Sequence, residues 1–116
     1  MMVDIGGTRR ISPNYYSLRH GYSDARWCLR NWVLEGKLDD SDTSAWVVLR
    51  EHVNDTSINA VGGTCSWPVT NVGDNQCFRY IRIRSTGVNS GYRSAGSSHQ
   101  LICGGIELFG ELYIRS

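Results

Sequence analysis

The amino-acid sequence predicts an all-β domain, and two observations support this. Runs of about four to eight residues are rich in β-branched and aromatic side chains, and Gly, Asn, Asp and Ser separate these runs at short intervals. Ile81 and Ile83 alternate with Tyr80, Arg82 and Arg84, which predicts a strand with one buried face and one solvated face. The length of 116 residues, with 41% hydrophobic and 20% charged, fits one soluble domain that includes the whole chain.

Seven runs of this kind are predicted to be strands. In chain order they are residues 3–5, 15–20, 32–35, 46–52, 65–69, 78–85 and 101–109. Residues 46–52 also fit a short amphipathic helix, but the adjacent Val47 and Val48 favour a strand. A short helical turn is predicted at residues 54–58. Residues 86–100 have no core pattern, so they form a long loop that is either functional or disordered.

Composition excludes several classes of function. The net charge of +1 argues against a surface that binds nucleic acid, because such surfaces carry a concentrated positive excess. No run approaches the roughly 18 uninterrupted apolar residues of a membrane span, and residues 1–4 lack an export signal. We therefore expect neither nucleic acid nor a membrane among the partners.

The four cysteines, Cys28, Cys65, Cys77 and Cys103, form no C-x-x-C pair and have no His at the spacing of a zinc site. They are interpreted as reduced, partly buried thiols of a cytosolic or nuclear protein, and an oxidised secreted domain is the alternative. Residues 39–42 are rich in Asp but lack the Gly and the terminal Glu of a calcium loop. No metal site is predicted.

No catalytic residues and no cofactor are predicted either. The three histidines, His20, His52 and His99, are not accompanied by a nucleophile elbow, an H-E-x-x-H pair or a Gly-rich phosphate loop. We therefore expect the isolated domain not to be an enzyme.

A series of landmarks in a fixed order runs from Val3 to Gly110. They are residues 15–22, 29–36, 46, 49–52, 54–55, 66–68, 78–83, 86–89 and 105–110. On these landmarks the chain resembles a discoidin-like domain, a jelly-roll β-sandwich of the galactose-binding fold. Within that superfamily it is most similar to the intracellular branch found in a large HECT-type E3 ubiquitin ligase and in BTB-domain proteins. Among the landmarks, Trp32, Trp46 and Trp67 are expected to pack in the core or at its corners, and Arg19 and His20 to have framework roles.

The resemblance also sets expectations about edges and location. Full-length relatives begin earlier, so the first strands of the sandwich are expected to be missing here. The uncovered sheet edge would then pair with a second copy or with a strand from a partner. Secreted relatives join their termini by a disulfide, but no Cys lies before Cys28 or after Cys103, which favours a cytoplasmic or nuclear protein.

The resemblance implies a non-catalytic interaction module of a larger intracellular protein, a ubiquitin ligase, that docks a protein partner through loops at one end of the sandwich. We expect the loops at residues 21–26 and 86–100 to form that surface. The predicted partner-binding residues are Tyr22, Arg26, Trp27, Tyr92, Arg93 and His99. The alternative is a carbohydrate-binding module of a secreted or surface protein, with Trp27 and Tyr92 contacting a glycan. A third possibility is a sandwich that only spaces or oligomerises neighbouring domains.

Overall fold

The computed structural model describes residues 1–19, 28–39, 45–58, 63–69, 76–87 and 105–114. Within these ranges the chain forms seven strands and no helix. In chain order they are β1 (Met2–Asp4), β2 (Arg9–Arg19), β3 (Trp32–Lys37), β4 (Val47–His52), β5 (Thr64–Pro68), β6 (Tyr80–Ser85) and β7 (Gly105–Ile114).

The strands form two antiparallel sheets. One has four strands in the order β1-β6-β3-β4, and the other has three in the order β5-β2-β7. Side chains from both sheets form one apolar cluster between them, with Tyr16, Leu18 and Trp67 from the three-stranded sheet and Trp32 and Ile81 from the other. The predicted all-β sandwich is therefore confirmed.

The predicted alternation in β6 is also confirmed. Ile81 and Ile83 are buried, whereas Arg82 is half-buried and Arg84 is exposed. Because successive side chains of a strand point to opposite faces, the isoleucines line the core and the arginines cover the outer face of the four-stranded sheet.

Strand β2 begins at Arg9, six residues before the predicted start. Ser12, Pro13 and Asn14 are residue types that favour turns, but β2 pairs with β7 on both sides of this point. A register shift between Pro13 and Tyr15 accommodates the irregular residues as a bulge. Pairing with β7 therefore overrides the local turn preference.

Gly110 lies opposite Pro13 in this irregular region. A Cβ atom at Gly110 would lie 2.1 Å from the carbonyl oxygen of Ser12, and the φ angle of Gly110 is +158°. Only a glycine permits this close approach of the two backbones. It is one reason why β7 continues to Ile114, five residues beyond the predicted end.

The predicted helical turn at residues 54–58 is wrong. The segment is an irregular bend in which Asn54 has a positive φ of 49°. The carboxylate of Asp55 accepts hydrogen bonds from the backbone N–H and the hydroxyl of Ser57. These side-chain bonds replace the backbone bonds that a helical turn would have formed.

Candidate functional site

Six strand ends meet at one end of the sandwich. In the three-stranded sheet, Arg19 at the end of β2 pairs with Thr64 and Gly105, the first residues of β5 and β7. In the four-stranded sheet, Trp32 at the start of β3 pairs with His52 and Ser85, the last residues of β4 and β6. The Cys65 thiol, next to Thr64, donates a hydrogen bond to the carbonyl of Ser57, which follows β4. The two sets of strand ends therefore lie together, and we call this end the rim.

Three segments of the chain, residues 20–27, 59–62 and 88–104, connect strands at the rim. The first and third of them carry all six of the predicted partner-binding residues. These residues, Tyr22, Arg26, Trp27, Tyr92, Arg93 and His99, lie outside the described residues. Their flanking strand ends at Arg19 and Gly105 are directly paired.

A hydrogen-bond framework holds residues 28–31 against the loop after β4. The Arg30 guanidinium donates to the carbonyls of Leu29 and Ile58, and the carbonyl of Arg30 accepts from the Asp55 N–H at 2.8 Å. Arg30 therefore fixes the chain before β3 to the loop that follows β4.

Asn31 extends the framework to the segment after β6. Its side-chain carbonyl accepts from the Asn54 N–H at 2.9 Å, and its backbone carbonyl accepts from the Thr86 N–H at 3.1 Å. Gly87 packs so closely on Asn31 that a Cβ atom at Gly87 would lie 3.0 Å from that of Asn31. The described parts of three different connections are thus fixed to one another at the rim.

A chain of buried polar groups lies directly beneath this framework. The Trp32 indole N–H donates to the Tyr16 hydroxyl at 3.0 Å, and that hydroxyl donates to Nε2 of His52. Nδ1 of His52 then donates to the Asp55 carboxylate at 2.7 Å. Each group has a partner when His52 is neutral with its proton on Nδ1, so the network selects this tautomer.

Aromatic stacking fixes the position of the imidazole. The rings of Trp32 and His52 stack with centroids 4.0 Å apart and planes 13° from parallel. Trp67 meets both rings at steep angles, with centroid distances of 5.4 Å to Trp32 and 4.7 Å to His52. Trp32 and Trp67 are thus core residues, as predicted.

The surroundings of His52 keep it uncharged. Burial lowers the pKa of the imidazole below its ordinary value, outweighing the hydrogen bond to Asp55, which acts in the opposite direction. For Asp55, burial opposes the charged form, but hydrogen bonds from Ser57 and His52 lower the pKa of the carboxyl. The structure thus combines a neutral histidine with an ionised aspartate.

The Tyr16–His52–Asp55 arrangement resembles a proton relay, but it is closed to substrate. Tyr16 has no exposed surface and His52 is only 2% exposed. A general base must come within hydrogen-bond distance of the substrate proton, directly or through one water. We therefore assign these residues to positioning the rim rather than to chemistry.

An open depression of about 260 Å³ lies at the rim end of the three-stranded sheet. The polar residues that line it are Ser17, Arg19, Thr64 and Glu107. Together they offer hydroxyl groups, a guanidinium and a carboxylate, which are groups that recognise a small polar ligand.

A second polar cluster lies on the outer face of the four-stranded sheet. Arg82 and Arg84 each donate through Nε to the same carboxylate oxygen of Glu35, at 2.9 and 3.0 Å. Burial opposes ionisation of Glu35, but the hydrogen bonds from Arg84 and Arg82 lower the pKa of its carboxyl below its ordinary value. The Arg82 guanidinium also lies 3.9 Å from the ring centroid of Trp46, so Trp46 packs outside the core. These contacts give Glu35, Arg82 and Arg84 a structural role on this face.

Within the described ranges, no three His, Cys, Asp or Glu side chains are grouped in a way that could hold a metal ion. In the same ranges, no helix has the length and apolar character needed to cross a membrane. Cys28 is buried, Cys65 and Cys77 are half-buried, and no disulfide joins these three residues.

Sequence reasoning missed the Tyr16–His52–Asp55 chain. Tyr16 and His52 are 36 positions apart, so no local pattern relates them. One indication of Tyr16, His52 and Asp55 was present in the sequence: all three lie within the landmarks of the family resemblance.

Comparisons with known proteins relate the chain to segments of much longer proteins. It is 37% identical over 103 residues to the E3 ubiquitin-protein ligase Ufd4 of Drosophila melanogaster and 35% identical over 102 residues to the E3 ubiquitin-protein ligase hecd-1 of Caenorhabditis elegans. Each match covers 88% of this chain but only 4% of the ligase. A BTB/POZ domain-containing protein of Arabidopsis thaliana is 33% identical over 86 residues, which is 74% of this chain and 10% of that protein. No protein-family profile and no solved structure matches the chain.

Proposed function

We propose that this chain is a non-catalytic module of a HECT-type ubiquitin ligase and that it docks a protein partner through the rim. Homology to segments of two E3 ubiquitin-protein ligases supports the first part. The landmarks and the two antiparallel sheets support assignment to the discoidin-like class and to its intracellular branch, in the cytoplasm or the nucleus.

One observation carries the docking proposal: the six strand ends that precede and follow three connecting segments meet at the rim, beside a hydrogen-bonded framework. Binding residues are often found on loops that a rigid scaffold positions. Arg30 and Asn31 supply that scaffold here, because they join the connections to one another. The sequence of the connecting segments includes Tyr22, Trp27 and Tyr92, and aromatic and Arg residues dominate binding energy at interfaces.

The test compares two charge-reversal variants. Arg26→Glu with Arg93→Glu changes the rim, and Arg9→Glu with Lys37→Glu makes the same change at the opposite end of the sandwich. Candidate partners are captured with the 116-residue chain, identified by quantitative mass spectrometry, and purified. The dissociation constant of each is then measured with both variants.

We expect the rim variant to weaken binding by about tenfold or more while its melting temperature stays unchanged. The variant at the opposite end should bind as the original chain does. Equal weakening in both variants, or in neither, would contradict docking through the rim.

A glycan is the second candidate ligand, and the depression lined by Ser17, Arg19, Thr64 and Glu107 favours it. Hydroxyl and charged groups of this kind hydrogen-bond sugar hydroxyls. A glycan array tests it directly. Saturable binding to a defined glycan that is lost in Trp27→Ala or Tyr92→Ala would support this function over protein docking, and an array without binding would remove it.

A further inference from the structure

Strand β7 has an unusually exposed second half. Every residue from Phe109 to Ile114 is exposed, including Leu112 at 56% and Ile114 at 79%. β7 is the last strand of the three-stranded sheet, and no strand of the described residues pairs with its other edge. A long, apolar edge strand of this kind is a template for pairing with another chain.

The two faces of β7 differ in chemistry. Register with β2 places Glu107, Phe109, Glu111 and Tyr113 on the outer face, in alternation with the core-facing side chains. Phe109 meets the exposed ring of Tyr15 edge-on, with centroids 6.4 Å apart. The outer face of this edge therefore alternates carboxylates with aromatic rings.

The opposite face of the exposed half is apolar. Leu112 pairs with the buried Ile11, and Ile114 follows on the same side of the sheet. Both side chains point to the side on which the core lies, yet most of their surface is uncovered. A strand added beside β7 would cover them if its own side chains on this face were apolar.

We propose that the outer edge of β7 from Glu107 to Ile114 binds an extended basic peptide segment in which Lys or Arg alternates with apolar residues. The peptide pairs with β7 through backbone hydrogen bonds. Its basic side chains lie opposite Glu107 and Glu111 and beside the rings of Phe109 and Tyr113, where cations are attracted both to carboxylates and to aromatic faces. Its apolar side chains cover Leu112 and Ile114 on the other face.

In two antiparallel registers of β7 with a second β7, charge complementarity favours this partner over a second copy of the chain. If two β7 strands paired antiparallel about Phe109, Glu107 of each would face Glu111 of the other. Pairing about Glu111 would oppose two copies of that residue. Like charges directly opposite each other on neighbouring strands destabilise the pair, whereas opposite charges stabilise it. On β2, Arg19 lies diagonally across from Glu107 and Arg10 lies diagonally across from Glu111. The Arg10 guanidinium donates to backbone carbonyls, and the Glu111 carboxylate accepts a hydrogen bond from the Tyr113 hydroxyl.

The binding experiment uses four synthetic eight-residue peptides with the 116-residue chain. The first alternates Lys with Val, and the second alternates Glu with Val. The third has the composition of the first with four Lys followed by four Val, and the fourth is the first with every backbone nitrogen methylated. Affinity is measured by fluorescence anisotropy, and the amides of β7 are followed by hydrogen exchange.

We expect the alternating Lys peptide to bind about tenfold more tightly than the other three peptides. In the Glu peptide two cross-strand charge pairs change sign, the third peptide lacks the alternation, and the methylated peptide cannot form the strand pairing. Binding should slow hydrogen exchange in β7. The variant with Glu107→Lys and Glu111→Lys should reverse the preference in favour of the Glu peptide. Glu51→Lys on β4, which is the edge strand of the other sheet, is the matched control and should leave all affinities unchanged.

Three results would overturn the proposal. If the methylated peptide bound as tightly as the alternating Lys peptide, strand pairing would not be involved in binding. If Glu51→Lys weakened binding of the alternating Lys peptide as much as the changes at Glu107 and Glu111 do, the attraction between the charges would be non-specific. Concentration-dependent dimers without peptide, with β7 amides protected, would show that a second copy occupies the edge, as the sequence analysis anticipated. If the double variant does not fold, Glu111→Gln is used, and it should weaken the Lys peptide without changing the melting temperature.

Discussion

The hydroxyl of Tyr16 donates a hydrogen bond to Nε2 of His52 across the interior of the sandwich. Tyr16 belongs to the three-stranded sheet and His52 to the four-stranded sheet, so a directional bond joins the two layers within an otherwise apolar core. The chain continues through Nδ1 of His52 to Asp55 in the loop at the rim. The packing of the two sheets and the position of that loop therefore depend on one another.

Removing the Tyr16 hydroxyl tests this dependence. Tyr16→Phe leaves the buried Trp32 indole N–H without its acceptor and Nε2 of His52 without its donor, and the cost of such unpaired buried groups is about 1–3 kcal/mol. We expect the free energy of unfolding, measured by urea denaturation, to fall by that amount. Tyr15→Phe, which removes a hydroxyl from an exposed neighbour, is the control and should change little. Equal effects in the two variants would contradict the role given to the buried hydroxyl.

The lowered pKa of His52 predicts how the free energy of unfolding depends on pH. The pKa of His52 is below its ordinary value of 6.5 in the folded chain, mainly because of burial, so the unfolded chain binds the proton more tightly. Above the ordinary pKa both states are neutral at this residue and its contribution is fully present. As pH falls from about 7 towards about 5, the free energy of unfolding should decrease.

The pH dependence is measured by urea denaturation of the original chain and of His52→Gln. The variant should have a shallower dependence over this window. The pKa of Asp55 is lowered from 3.8, so its effect begins only at more acidic pH and does not confuse the comparison. A resonance of His52 that titrates above 6.5 in the folded chain, followed by NMR, would contradict the prediction.

Two arginines that share one acceptor allow a matched comparison. Arg82 and Arg84 each donate through Nε to the same oxygen of Glu35, but only Arg82 also lies over the ring of Trp46. Arg82→Ala should therefore lower the free energy of unfolding more than Arg84→Ala, by about 0.5–1 kcal/mol. In a Trp46→Ala background, the difference between the two variants should disappear. Chemical denaturation of the four proteins at low salt measures this.

Gly110 and Gly105 lie on the same strand and provide another pair. Gly110→Ala places a methyl group against the backbone of Ser12 and imposes an unfavourable φ, whereas the described atom nearest to a Cβ at Gly105 is the tip of the Arg19 side chain, 3.7 Å away. We expect Gly110→Ala to cost about 1–3 kcal/mol and to lower the melting temperature, and Gly105→Ala to be near neutral. A melting temperature of Gly110→Ala equal to that of Gly105→Ala would rule out the close approach.

Much of the fold could be predicted from the sequence because alternation identifies strands directly. The pattern around Ile81 and Ile83 marked β6, and the adjacent Val47 and Val48 correctly favoured β4. The start of β2 could not be predicted, since Pro13 favours a turn locally and only pairing with β7 stabilises a strand there. The polar chain beneath the rim could not be predicted either, because the hydrogen bond between Tyr16 and His52 depends on how the two sheets pack.

The partner-binding residues were predicted from the loops at residues 21–26 and 86–100 and from the adjoining Trp27, and they stay a prediction. What the structure adds is the described strand ends on either side of each segment. The direct pairing of Arg19 with Gly105 could not be predicted from the sequence, because 86 positions separate the two residues.

The convergence of strand ends at the rim also bears on how this domain can change over evolutionary time. Lengthening a surface connection costs little conformational entropy, and the cost grows only slowly with each added residue. Since the described anchors of the rim connections are paired strand ends, insertions and deletions within residues 20–27, 59–62 and 88–104 leave the described residues of the framework and of the polar chain unchanged. Duplicated copies of the gene could therefore diverge in what they recognise while keeping a common scaffold, and a designer could graft foreign sequences at the same three places.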